Sequence, residues 1–248
     1  MENTTELGFN RTGAQSSPLS VHSMQIYADE QSPHAAPTSD GMPDGKAIAS
    51  VRSLYVAEAE RVGSVPMPGT VTGAFNTVLS HLRGRNPEVL VDKLGERLAF
   101  ERTGVRLYQA LIDKATVLGG LETLPFTIAD LQKIRGEELE HMHIVASALD
   151  SLGADPTAQT PSADVSAVAS MGVMQVLTDP RTTIAHGLEA ILMAELTDSD
   201  SWNLLVALTE QAGQDTLLPD FRRAMQNENA HLLKVRGWLR SVVLGEGA

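Results

Sequence analysis

From residue 87 onward, apolar positions recur every three to four residues along four long segments, the period of helices that bury one face. The spacing predicts helices over about 87–118, closed by Gly119-Gly120, and about 127–152, closed by Gly153. Two more are predicted from after Pro180 to about 212, and over about 215–244. The second and third are joined by nearly thirty residues, ADPTAQTPSADVSAVASMGVMQVLTDP, with a short helix expected at 163–176. Helices linked by a few residues pack as antiparallel neighbours, so a connection of that length predicts a crossover between helices 2 and 3 of a four-helix bundle. No segment alternates Val, Ile and Thr between hairpin turns, and an all-α fold is expected.

Ahead of the bundle, assigned to 87–248, two shorter patterns lie within 46–86. Ile48, Val51, Tyr55 and Val62 are spaced for one helical face, and Phe75, Val78, Leu79 and Leu82 for another, with PMPG at 66–69 between them. They predict accessory helices packed on the larger domain. Residues 1–45 are rich in Ser, Thr, Asn and Gly and contain four prolines, which predicts an extended or disordered arm, with GFNRTG at 8–13 read as turn-forming.

Each long helix breaks its apolar stripe with acid. The second reads Leu131, Ile134, Glu138, His141, Val145, Ala148, Leu152, and the fourth Phe221, Ala224, Glu228, His231, Val235, Trp238, Val242. Both carry Glu-x-x-His where apolar residues belong, and a buried ionised carboxylate costs several kcal/mol unless compensated. The first stripe, Leu94, Leu98, Glu101, Val105, Tyr108, Ile112, and the third, Ile184, Leu188, Ile191, Glu195, Asp198, Trp202, Leu205, each hold a glutamate near the middle.

Composition narrows the chemistry. With no cysteine, disulfides, thiolate metal sites and a cysteine nucleophile are excluded, leaving His and carboxylate as the strong ligands. A formal net charge of -12 argues against electrostatic binding to nucleic acid or anionic lipid. No apolar run approaches a membrane span and no leader pattern opens the chain, so a cytoplasmic location is expected.

With 17 Glu and 7 His in the chain, chance placement yields about half of one Glu-x-x-His match. Three occur. The third, Glu140 with His143, lies off the stripe and reads as exposed surface. Glu101 and Glu138 are 37 residues apart and Glu195 and Glu228 are 33 apart, separations that let each antiparallel pair meet at one level. Four carboxylates and two imidazoles then converge on the bundle axis.

Over about residues 88–245, Glu101, EELEH with Glu138 and His141, Glu195, and ENAH with Glu228 and His231 resemble the di-metal carboxylate proteins of the ferritin-like superfamily. The resemblance implies two Fe ions, or Mn as the alternative, bridged by Glu138 and Glu228. Glu101 and His141 would complete one ion's ligands, and Glu195 and His231 the other's. It also implies that Glu137 and Asn227, each just before a bridging acid, accept hydrogen bonds from the opposite histidines. An acid on one and an amide on the other would make the two positions inequivalent. Asp198 stands where rubrerythrins carry a further glutamate, which implies an alternative ligand or a proton acceptor; the other reading is an Asp hydrogen-bonded near the site or facing a water pocket. The absence of cysteine excludes their rubredoxin-type centre, so electrons would come from an external donor.

The implied activity is oxidation of Fe(II) by O₂ or peroxide, in iron handling or oxidative-stress defence. Glu101, Glu138, Glu195, Glu228 and Asp198 would be the reacting carboxylates. A di-manganese catalase-like or di-iron oxygenase-type enzyme is the second expectation. The third is a non-catalytic assembly protein with a structural metal, in which the N-terminal arm docks a partner. A homodimer is expected in preference to a 24-subunit cage. Tyr108 and Trp202 read as packing rings sealing the bundle in preference to redox relays, and His186 as surface or interface.

Overall fold

The computed structural model describes Ile26 and residues 46–67, 87–118 and 121–246. Apart from Ile26, the arm 1–45 lies outside the described residues, as do the pattern Phe75–Leu82 and His22, His34 and His81. Among the described residues every regular element is helical, and the protein is all-α. The helices are α1 (Lys46–Glu58), α2 (Pro87–Leu118), α3 (Ile128–Ser151), α4 (Pro161–Thr178), α5 (Ile184–Ala212) and α6 (Leu218–Glu246), with one 3₁₀ turn at Leu121–Thr123. None is long and apolar enough to cross a membrane.

The chain divides into two compact units, Gly8–Val62 and Met1–Leu7 with Gly63–Ala248. In the first, α1 exposes Val51 and Tyr55 of its expected face, and Val62 is exposed beyond its end. The long helices belong to the second.

Local chemistry sets where these helices begin and end. Thr127 starts α3 with a reciprocal cap: its hydroxyl accepts from the Asp130 N–H, and the Asp130 carboxylate accepts from the Thr127 N–H. Thr183 starts α5 in the same way with His186, which is exposed and serves that cap. Thr160 caps α4 and Pro161 enters its first turn, where a missing N–H costs nothing, so this helix is longer than the expected 163–176. Gly213, at φ 67°, closes α5 in the left-handed conformation that glycine adopts without strain.

Two apolar clusters show how the chain runs. One joins the late part of α2 (Leu107, Tyr108, Leu111) to early α3 (Leu131, Ile134), early α5 (Leu188, Ile191) and late α6 (Val235, Trp238). The other joins early α2 (Leu90, Leu94, Leu98) to late α3 (Val145, Leu149), late α5 (Trp202, Leu205) and early α6 (Phe221, Ala224). So α2 and α6 point one way while α3 and α5 point the other.

α4 makes this possible by carrying the chain back along α2. At its start the Asp92 carboxylate accepts from the Ser162 N–H and hydroxyl, at 2.9 and 2.6 Å. Past its end, Lys114 donates to the carbonyls of Asp179 and Thr182, at 2.8 and 3.1 Å. Between the two apolar clusters lies a buried layer of charge.

Candidate metal centre

That layer contains Arg97, Glu101, Glu138, His141, Glu195, Asp198, Glu228 and His231, each at most 3% exposed. The middle of each stripe turns inward because apolar residues on both sides hold it there. Three sets of ligand atoms lie within 4.8 Å of one another: Glu101, His141 and Glu228; Glu138, Glu228 and His231; and Glu101, Glu138, Asp198 and Glu228. Glu195, one turn before Asp198, is buried in the same layer but enters none of these sets.

Both imidazoles point Nδ1 inward. His141 Nδ1 is 2.6 Å from Glu228 Oε1 and 3.7 Å from Glu101 Oε2. His231 Nδ1 is 3.4 Å from Glu228 Oε2 and 3.5 Å from Glu138 Oε1. Their Nε2 atoms face outward, to Glu137 Oε2 at 2.9 Å from His231 and to the Asn227 amide at 3.3 Å from His141. An ionised carboxylate only accepts, so Glu137 holds the proton of His231 on Nε2 and leaves a lone pair on Nδ1. Asn227 carries no charge, and its amide can serve either tautomer of His141.

The acids fall into two kinds. Trp202 Nε1 donates to Glu101 Oε1 at 2.7 Å, and the Tyr108 hydroxyl donates to Glu195 Oε1. Each of these glutamates keeps one oxygen, Oε2, with no hydrogen-bond partner. Glu228, by contrast, has neither oxygen in an aligned hydrogen bond. Trp202 and Tyr108 are buried in the two apolar clusters as the packing rings expected, and each also aims its polar tip at a carboxylate on the opposite helix.

Proton affinities follow from crowding. Burial, then the charges of Glu228 and Glu101, pushes the Glu138 carboxyl well above the usual range. Burial and the Glu228 charge take Glu195 up to about 8. Burial raises Asp198 well above its ordinary value despite Arg97. Burial alone would lower His141, but the Glu101 and Glu228 carboxylates facing its Nδ1 outweigh it and bring the imidazole to about 9. The same contacts seen from Glu228, with His141 and His231 overcoming burial, hold that carboxylate down at about 2.

Two participants escaped the sequence reading. Arg97 Nη1 lies 3.0 Å from Asp198 Oδ1 and its Nε 2.9 Å from Glu101 Oε1, so Asp198 faces a guanidinium. The available signal was an arginine one turn ahead of a stripe-breaking acid. Gly104, one turn after Glu101, is buried directly against Glu138. A glycine inside a 32-residue helix, where it costs about 0.5–1 kcal/mol relative to alanine, was the corresponding signal.

Glu140 and His143 are exposed, as the off-stripe pair was expected to be. Val105 and Leu152, placed on the stripes, are only half-buried. No protein-family model matches this chain, and neither a curated protein nor a solved structure does.

Proposed function

We propose that the chain is a ferritin-like di-iron protein that oxidises Fe(II) with O₂ or peroxide. Its bundle would consist of α2, α3, α5 and α6, with α4 as the crossover. The observation that carries this reading is the pattern of buried ligand atoms without an aligned hydrogen bond. One oxygen each on Glu101 and Glu195, both oxygens of Glu228, Oε2 of Glu138 and Nδ1 of each histidine are buried in no aligned hydrogen bond, and the nearest groups to several of them are one another, as with His141 Nδ1 and Glu228 Oε1 at 2.6 Å. Each such atom costs about 1–3 kcal/mol if nothing satisfies it. Terminal ligands with one free atom and a bridging acid with two are what a pair of cations requires.

Charge agrees with this count. Five buried carboxylates against Arg97 leave four negative charges, the charge of two divalent ions when both imidazoles are neutral. Protons held by Glu138 and Glu195 in the metal-free cluster would leave as the ions enter. Oxygen-rich ligation with one imidazole per ion suits iron or manganese.

Two ferrous ions would supply two electrons: 2 Fe(II) with O₂ and two protons give 2 Fe(III) and H₂O₂, and with H₂O₂ and two protons give 2 Fe(III) and two waters. The chain's own residues hold the ions, exclude water by the two apolar clusters, and orient His231 through Glu137. Trp202 keeps Glu101 turned so that Oε2 faces His141 Nδ1, and Tyr108 holds Oε1 of Glu195. Arg97 neutralises Asp198, which favours a charge-balancing or proton-holding role for that acid over direct ligation.

The test is an anaerobic Fe(II) titration of metal-free protein followed by an oxygen pulse, beside a Glu138→Ala/Glu228→Ala double variant. Two Fe(II) per chain, oxidised rapidly in the wild type and not in the variant, is the expected result. Absence of stoichiometric binding, or binding that survives both substitutions, would overturn the proposal.

A further inference from the structure

The inner face of α2 carries Glu101 and, one turn later, Gly104. A Cβ placed on Gly104 would overlap Glu138 Oε2 and stand 3.0 Å from its Cδ and 3.6 Å from its Cγ. The Glu138 side chain thus lies flat against the bare backbone of α2, in space that any other residue would occupy. Glu138 is 1% exposed, and its Oε2 has no hydrogen-bond partner. His231 Nδ1 stands 3.5 Å from Oε1, but no donor holds Oε2 where it is; the missing side chain at 104 provides the room.

Glu138 does not contribute equally to the two halves of the cluster. Two of the three sets, Glu138 with Glu228 and His231 and Glu138 with Glu101, Asp198 and Glu228, need it, whereas Glu101, His141 and Glu228 lie within reach of one another without it. We propose that Gly104 is a positioning residue that makes the centre dinuclear. A side chain at 104 would push the Glu138 carboxylate out of place, cost the chain the ion on the His231 side, and leave the ion on the His141 side. This rests on the two-ion reading given above and adds which residue sets the number of ions, and which ion depends on it.

Alanine at 104 is a mild change for the helix itself, since alanine is the better helix former. Only the far end of Glu138 has to move. An aspartate at 138, one methylene shorter, would draw the carboxylate back from the new methyl group.

The experiment is an anaerobic Mn(II) titration of metal-free wild type, Gly104→Ala, Glu138→Asp and the double variant Gly104→Ala/Glu138→Asp. Helical circular dichroism, stoichiometry and the Mn(II) paramagnetic resonance spectrum are the readouts. The expected result is two spin-coupled ions in wild type, and one uncoupled ion in Gly104→Ala with at least a tenfold loss of affinity for the second. Helicity is unchanged, and coupling returns in the double variant. Two coupled ions in Gly104→Ala would overturn the proposal. So would loss of both ions, or loss of helicity, because the adjustment is confined to one carboxylate. If the wild type itself binds no Mn(II) or Fe(II), it is the two-ion reading that fails.

Discussion

Raising the pH is expected to destabilise the metal-free protein and to stabilise the metal-loaded one. Glu195 moves from an ordinary 4.5 to about 8 on burial beside Glu228. The folded chain therefore holds a proton that the unfolded chain has lost between those values. The stabilisation is complete below 4.5, declines through the window and is gone above about 8. At about 1.4 kcal/mol per pH unit the change is worth about 5 kcal/mol, and the group is too buried for solvent to screen it. His141, raised from 6.5 to about 9, acts with the same sign: its contribution is full below 6.5 and lost as pH climbs to 9. Glu228, lowered from 4.5 to about 2, acts oppositely, stabilising above 4.5 and failing as pH falls toward 2.

From these groups, metal-free stability should therefore peak near pH 4.5 and decline toward 9. For a unit of this size 1 kcal/mol moves Tm by about 2–4 °C, so Glu195 alone predicts a fall of about 10–20 °C. Thermal melts followed by helical circular dichroism, at pH steps from 5 to 9, measure it. In the presence of excess Mn(II) the cations replace those protons, and Tm should rise over the same range. A metal-free Tm that is flat or rises from pH 5 to 8 would refute the assignment of protons to this cluster.

Glu137→Gln removes the charge that orients His231 and should weaken one ion by about 10–100-fold while sparing the other, seen as a wider gap between two titration steps. Trp202→Phe keeps the buried ring but loses the donor to Glu101, and should cost about 1–3 kcal/mol of stability in the metal-free form, measured by denaturant. Arg97→Met leaves Asp198 and Glu101 without their guanidinium; a loss of about 3–5 kcal/mol at neutral pH, shrinking as acid protonates Asp198, is expected in urea titrations. Glu140→Ala/His143→Ala should leave metal stoichiometry and Tm unchanged, which checks that burial rather than the Glu-x-x-His spacing confers binding.

The acids and histidines of the centre were legible because each interrupts an apolar stripe, and a stripe is read from the chain alone. Along α6 every stripe position, from Phe221 to Val242, is buried. On α2 the same reading was incomplete. That helix packs against α3, α4 and α5, so its buried arc is wider than one stripe and takes in Arg97, Phe100 and Leu107, while Val105 falls toward its edge. Arg97 was missed because a lone arginine among apolar residues reads as a solvated side chain until the carboxylates facing it from α5 are known. The hydrogen bonds from Tyr108 and Trp202 escaped for a related reason. Their partners are 87 and 101 residues away, and only the packing of α2 against α5 brings them together.

Those two bonds also bear on how the protein comes to fold. Glu101 and Tyr108 belong to the first hairpin of helices, Glu195 and Trp202 to the second, and each hairpin supplies the donor that steadies the other's glutamate. A fragment ending before α5 would contain Glu101, Glu138 and His141 but no donor for Glu101 from Trp202, and it would expose half of each apolar cluster. Closing contacts across about a hundred residues is a late event in folding, since the intervening chain must first be ordered. The cluster is therefore assembled by the docking of two halves, and a cation added during refolding would report the moment they meet.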